Sequence, residues 1–233
     1  MRSIFAIALA TLLFIPCSAH ASEDRLANIV ITSEVKVKTA PDIATITAGV
    51  VTSSPVAATA LQENAQKMNA VFAALKKAGI AEKDMQSSGI NIHPEYDYQQ
   101  NQKPRVTGYQ VINNVTVILR DIDNIGATID ALVAEGVNQL SGPSFSVDDP
   151  EPLLDKARAE AVRKARKRAD IYAEAAGVSI KRILSIMEHN ALHVSPRPMM
   201  MRSMGMELKQ EETPVAPGEV ELGVTVNVSY EIE

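Results

Sequence analysis

The chain has 233 residues and a formal net charge of −5, with 23 Lys and Arg against 28 Asp and Glu. A mildly acidic balance argues against general binding to nucleic acid or to an anionic membrane surface. Trp is absent and aromatics make up 4% of the residues, which leaves little for a base-stacking platform or an aromatic membrane girdle.

The first 21 residues read as a secretory signal. Arg2 supplies a positive start, Ile4 to Ile15 is an apolar run broken by Thr11, and Ala19-His20-Ala21 offers small residues at the positions a signal peptidase reads. The run is short for a membrane span, so cleavage after Ala21 is expected, leaving Ser22 at the mature N-terminus and a periplasmic destination. The alternatives are an uncleaved anchor, or lipoprotein processing at Cys17, where Pro16 stands in place of a small residue. Cys17 is the one cysteine, so a mature chain from Ser22 has no disulfide, thiolate nucleophile or Cys-based metal site. No later apolar run is long enough to span a bilayer. Residues 22–233 are expected to form the folded α+β unit.

Two strands open that unit. Ile29, Ile31, Ser33, Val35 and Val37 alternate with polar or outward residues. After Ala40-Pro41-Asp42, Ala44, Ile46, Ala48 and Val50 do the same, which predicts a hairpin. A helix is predicted from Pro55, with Leu61, Ala65, Met68, Phe72 and Leu75 on its apolar face, Lys76 and Lys77 in its last turn and Gly79 closing it. Strands follow at about 87–98 and 106–119, separated by a polar tip at Gln99–Arg105. A helix at about 122–135 ends at Gly136, and a strand at about 139–147 leads to the longest helix, about 152–176.

The stripe predicted to be buried on that helix is Leu154, Ala157, Ala161, Ala165, Ala169, Tyr172 and Ala176. Its other faces carry Lys156, Arg158, Arg163, Lys164, Arg166, Lys167 and Arg168, interleaved with Glu160, Asp170 and Glu174. That mixture reads as a solvated face rather than a nucleic-acid or lipid-binding one. A strand from Ile180 runs into a loop. The last strand then alternates without fault, Val220, Leu222, Val224, Val226, Val228, Tyr230 and Ile232 against polar neighbours, so one face is buried and the other wet. A strand of this length has edges fit for pairing with another subunit. Three amphipathic helices and a final Glu233 speak against an outer-membrane barrel.

All three helices stop on Gly followed by an apolar β-branched residue, at Gly79-Ile80, Gly136-Val137 and Gly177-Val178. This is shared stop chemistry, a left-handed Gly with the next residue packing back on the last turn. The fold class is α+β, antiparallel strands with amphipathic helices packed on one face.

An ordered series of short motifs resembles the SIMPL-domain, or YggE-like, family, and especially its periplasmic immunogenic protein members. The series is Gly79-Ile80 with Asp84-Met85-Gln86, then Ile92-His93-Pro94-Glu95-Tyr96, then Gly108-Tyr109 opening a strand that ends Arg120-Asp121. Ile129-Asp130 follows, and Ala157-Arg158-x-x-Ala161 continues through Ala165, Ala169, Ala173 and Gly177. One departure is Ser179-Ile180-Lys181, where many relatives carry a Leu-Gly pair. The resemblance implies an exported, often oligomeric α+β protein with links to oxidative stress tolerance and antigenicity. It implies no catalytic or ligand residues.

Candidate chemistry is sparse. Three His follow the signal, His93, His189 and His193. His189 and His193 have helical i,i+4 metal spacing, but the local pattern is a strand running into a loop, where such residues lie about 13 Å apart. No nucleophile elbow, phosphate-cradling loop or His-Glu-x-x-His motif occurs. Glu95 and Asp97, flanked by Tyr96 and Tyr98, read as the polar face of a strand tip. Residues 195–218 are rich in Pro and charge and hold Met199, Met200, Met201, Met204 and Met206.

That segment has three readings: a long loop packing on a neighbouring subunit, thioether binding of Cu(I) by Met201, Met204 and Met206 with His189 and His193 nearby, or a reducible oxidant sink. No resident cofactor is expected. The function expected is that of a non-enzymatic periplasmic protein that self-assembles into a homo-oligomer, a ring or channel being one form, with a role in stress tolerance. The partner is a second copy of the chain, with peripheral outer-membrane contact as a further expectation. Metal or oxidant binding at the Met-rich segment is the alternative, and an enzyme of unidentified class stands third.

Overall fold

The computed structural model describes residues 27–98, 103–189 and 213–233. Among the described residues, seven strands and three helices follow one another as β1 (Asn28–Thr39), β2 (Ile43–Ser54), α1 (Ala57–Lys77), β3 (Met85–Asp97), β4 (Arg105–Leu119), α2 (Ile125–Ala134), β5 (Gln139–Ser146), α3 (Glu151–Ala176), β6 (Ile180–His189) and β7 (Val220–Ile232). Short 3-10 turns at 82–84 and 122–124 precede β3 and α2. The predicted elements sit within a few residues of these bounds because period-two and helical patterns are local properties of the chain.

The strands form two antiparallel sheets, one ordered β1-β7-β6 and the other β3-β4-β2-β5. α3 lies across β1 and β7, α1 lies across β2 and β4, and α2 packs beside α1. This is the α+β arrangement that the patterning predicts.

The expected hairpin of the first two strands does not form. β1 pairs with β7, from Asn28 opposite Glu231 to Thr39 opposite Val220, while β2 lies between β4 and β5. The Ala40-Pro41-Asp42 link carries the chain from one sheet to the other. Alternation decides which face of a strand is buried and says nothing of its partner. The faultless apolar face of β7 is the better match for Ile31 and Val35, and every second residue of β7 from Val220 to Tyr230 is buried.

α3 approaches its sheet on Leu154, Ala157, Ala161, Ala165, Ala169 and Ala173. Tyr172 and Ala176, predicted to extend the stripe, are exposed, Tyr172 by 51%. The stripe keeps four-residue spacing to its end, and a ridge of that spacing runs obliquely to the helix axis, so the helix crosses the twisted strands at an angle. Methyl side chains along the ridge let the backbone lie close to β7, whose Val and Leu side chains each contribute about 1.5–3 kcal/mol on burial.

α1 also differs from its predicted face. Leu61 and Ala65 are exposed, and the buried residues are Ala60, Asn64, Met68, Val71 and Leu75. Pro55 lies before the helix, which begins at Ala57 with extended Val56 as its N-cap. The stripe passes through a polar residue because the amide nitrogen of Asn64 is held from below: its Nδ2 donates to the carbonyls of Val50 at 2.8 Å and Val111 at 3.3 Å, on the two strands that α1 covers, while its buried Oδ1 accepts no hydrogen bond from the described residues. An apolar-only count cannot see this residue as core.

The three helix stops behave as expected. Gly79, Gly136 and Gly177 have φ of 83°, 101° and 69°. The following N–H of Ile80, Val137 and Val178 returns to the carbonyl of Leu75, Leu132 and Ala173. One connected set of buried side chains runs from Ile31, Val224 and Ala165 beneath α3 to Ala48, Val115 and Met68 beneath α1.

Candidate interaction surface

The sequence-predicted ligand residues are dispersed. His189 is the last residue of β6, opposite Thr225, and β6 is extended up to it. His193, Met199, Met200, Met201, Met204 and Met206 lie outside the described residues, as do residues 1–26. Among the described residues, no three His, Cys, Asp or Glu side chains converge to hold a metal ion. His93 is exposed on β3, opposite Gln110. Glu95 accepts a hydrogen bond from Ser53 Oγ at 3.1 Å, as befits the polar face of a strand tip.

Several charged groups of the described residues are bound into structural ties. Arg120, at the end of β4, donates from Nε and Nη2 to both oxygens of Asp84 and from Nη1 to Asp148 at 2.6 Å. The backbone N–H of Asp148 donates to Asp42 Oδ1 at 2.7 Å. The tie joins the β1–β2 link, the turn before β3, the end of β4 and the approach to α3. Arg120's hydrogen bonds hold the carboxyl of Asp84 below its ordinary range, and those to Asp84 and Asp148 hold the guanidinium more firmly protonated.

A second tie lies on α2. Thr213 donates from its backbone N–H and from Oγ1, the latter at 2.6 Å, to the carboxylate of Asp130. Gly126 lets the segment approach, because a Cβ there would sit 2.3 Å from the Thr213 carbonyl oxygen. Both hydrogen bonds hold Asp130 below its usual carboxylate range, the hydroxyl's foremost. A third tie sits on β7, where the buried carboxylate of Glu231 takes Arg182 and Lys181 from β6. Neither partner of such long-range pairs announces the other in sequence.

What the ties leave open is apolar surface on strands. The hairpin of β3 and β4 is poorly covered along its outer strand and distal end, where Ile90, Ile92, Tyr96, Tyr98 and Val106 are exposed. Tyr96 and Tyr98 lie with ring centres 6.2 Å apart. On the other sheet, Ile183, Ile186 and Met187 of β6 are exposed. A cleft of about 640 Å³ between α1 and α2 is lined by Ala70, Ala73, Ala74, Ala78, Ala131 and Ala134, with Lys77 and Glu135 also on its walls. It brings no convergent polar groups suited to orienting a small molecule.

The family described as SIMPL, a protein of unknown function (DUF541), matches residues 29–230. The chain belongs to the SIMPL family. It is similar to the 26 kDa periplasmic immunogenic protein of Brucella melitensis, 35% identical over 92% of this chain and 90% of that protein. It is also similar to the uncharacterized protein YggE of Escherichia coli K12, 29% identical over 88% of this chain and 83% of that one. The YggE protein of Edwardsiella ictaluri is 31% identical over 70% of this chain and 68% of its own length. Among the described residues, no helix is long and apolar enough to cross a membrane.

Proposed function

We propose that this protein works in the periplasm as a self-assembling, non-enzymatic component of the cell envelope, acting through its surfaces rather than through a reactive centre. The name of the Brucella relative supports the compartment, and the N-terminal signal pattern agrees with it. The observation that carries the assembly is the β3–β4 hairpin, which holds Ile90, Ile92, Tyr96, Tyr98 and Val106 in water on two long paired strands. Clustered exposed apolar and aromatic side chains mark protein contact sites, where Tyr supplies much of the binding energy. A second copy is the partner that is always present, and most soluble oligomers are closed, symmetric assemblies of one chain.

The test is the light-scattering mass of the protein from Ser22 onward, eluted by size at micromolar concentration, beside a variant carrying Ile92→Lys and Tyr96→Lys. A mass of several chains, reduced in the variant with far-UV circular dichroism unchanged, supports the reading. A single-chain mass for the unaltered protein overturns it. Robust turnover of a substrate by the purified protein overturns the non-enzymatic part.

A further inference from the structure

α2 packs beside α1, and the cleft of about 640 Å³ between them has alanine on both walls. Methyl side chains would let two helices close to the short end of the usual spacing, about 8 Å. A cleft of this size shows that α1 and α2 diverge instead. Its width suits apolar side chains longer than the ones that line it.

The place where the chain arrives on α2 says what lies within reach of the cleft. Thr213 is tied to Asp130 by its N–H and its hydroxyl, and Gly126 lets its carbonyl come close. Val215, two residues on, packs against the buried core. The chain that precedes Thr213 therefore sets out from the surface of α2. On that helix the cleft residues Ala131 and Ala134 follow Asp130 within about one turn, a rise of about 6 Å. Met206, Met204 and Met201 precede Thr213 by seven, nine and twelve residues. Seven extended residues already reach about 25 Å.

The chemistry of the two sides matches. Methionine is unbranched and fills irregular apolar gaps, which suits walls of methyl groups. Arg202 and Glu207 bracket Met204 and Met206 in the sequence. Lys77 and Glu135 stand on the cleft walls, one on each side, and neither is in an ion pair among the described residues. Each charge beside the methionines thus has an opposite charge on a wall. We infer that residues 201–206 are the occupant of the α1–α2 cleft, with methionine side chains laid between the alanine walls of the same protomer. The cleft and its occupant belong to one chain, so this stands apart from self-assembly. Thioethers seated there are shielded, and a soft metal ion or an oxidant must compete with the cleft for them.

The chain from Ser22 onward has no cysteine, so introduced thiols report cleanly. Ala134→Cys is combined in turn with Met201→Cys, Met204→Cys and Met206→Cys. In the controls Ile171→Cys, on the exposed side of α3, replaces Ala134→Cys. Each is oxidised at micromolar concentration, and the linked peptides are mapped. In parallel, the unaltered protein and Ala74→Lys are treated with hydrogen peroxide. Sulfoxide at each methionine is followed by mass spectrometry, with the exposed Met187 as internal reference.

The result expected is a link within one chain from Ala134→Cys and none from Ile171→Cys. At least one of Met201, Met204 and Met206 should oxidise more slowly than Met187, with that protection lost in Ala74→Lys. A link that forms only between two chains gives the cleft to a second copy and overturns the inference. No preferred link, with all three methionines oxidising as fast as Met187 in the unaltered protein, also overturns it. Neither of these readings uses Ala74→Lys, so they decide even where that variant fails to fold.

Discussion

Arg120 and Asp84 are joined by two parallel hydrogen bonds, Nε to Oδ2 at 3.1 Å and Nη2 to Oδ1 at 3.0 Å, although 36 residues separate them in the chain. Asp84 is 7% exposed, so its charge depends on this fork. Its carboxyl is held below the ordinary 3.8 mainly by Arg120's hydrogen bonds. A group whose folded pKa is depressed contributes its full stability above the unfolded pKa and loses it as pH falls toward the folded one. Stability is therefore expected to be level near neutral pH and to fall on acidification through the range below about pH 4. Asp84→Asn should be less stable at pH 7 and show a shallower acid slope, checked by urea unfolding at stepped pH. An unaltered slope contradicts the role given to the fork.

Asn64 is the polar residue in the buried stripe of α1, fully covered, with Nδ2 shared between the carbonyls of Val50 and Val111. Asn64→Ala strips both acceptors of that donor beneath a helix where water is excluded. The loss expected is about 1–3 kcal/mol in chemical unfolding. Leu61→Ala on the exposed side should change stability by no more than about 0.5 kcal/mol. The reverse ranking would restore the face predicted from apolar spacing alone.

The path of α3 over its sheet makes an opposing pair of predictions. Ala165 is fully buried and Tyr172 half exposed. Ala165→Leu forces the helix off β7 and is expected to cost about 1–3 kcal/mol. Tyr172→Ala should be nearly neutral. Thermal unfolding of both variants separates the observed stripe, ending at Ala173, from one that continues through Tyr172.

Most element boundaries were legible in the sequence because they are local: β7 alternates over 13 residues, and each helix stops on a left-handed Gly. What was not legible is what depends on distance along the chain. The partner of β1 lies at the far C-terminal end, so a short link before β2 imitated a hairpin. Asn64 looks like solvent until the strand carbonyls beneath it are known, and Asp84 and Arg120 appeared only as family-like residues without a bond between them. The candidate site was less legible than the fold. Of the residues proposed for metal, His189 ends an extended strand and the others fall outside the described residues. The exposed apolar residues of β3 and β6 look in sequence like ordinary strand core and are distinguished only by being left uncovered among the described residues.

Segment 213–219 is expected to be held against α2 by Asp130 and by the absence of a side chain at Gly126. Gly126→Ala places a methyl 2.3 Å from the Thr213 carbonyl oxygen, and that oxygen belongs to backbone, so the segment must move. The expected cost is about 1–3 kcal/mol. Thr213→Val, which removes only the hydroxyl donor to Asp130, should cost less. Hydrogen exchange is the check: both variants should speed exchange at the Thr213 N–H, Gly126→Ala more strongly. If neither does, the tie is not holding the segment.

Sedimentation equilibrium of the unaltered protein from Ser22 onward, across concentrations from below to well above micromolar, bears most directly on action by self-association. The expected result is a mass that settles at a whole-number multiple of the chain and persists on dilution into the micromolar range. A mass equal to one chain at every concentration would mean that the uncovered strands serve some other partner, and the account of this protein as a self-assembling envelope component would fall.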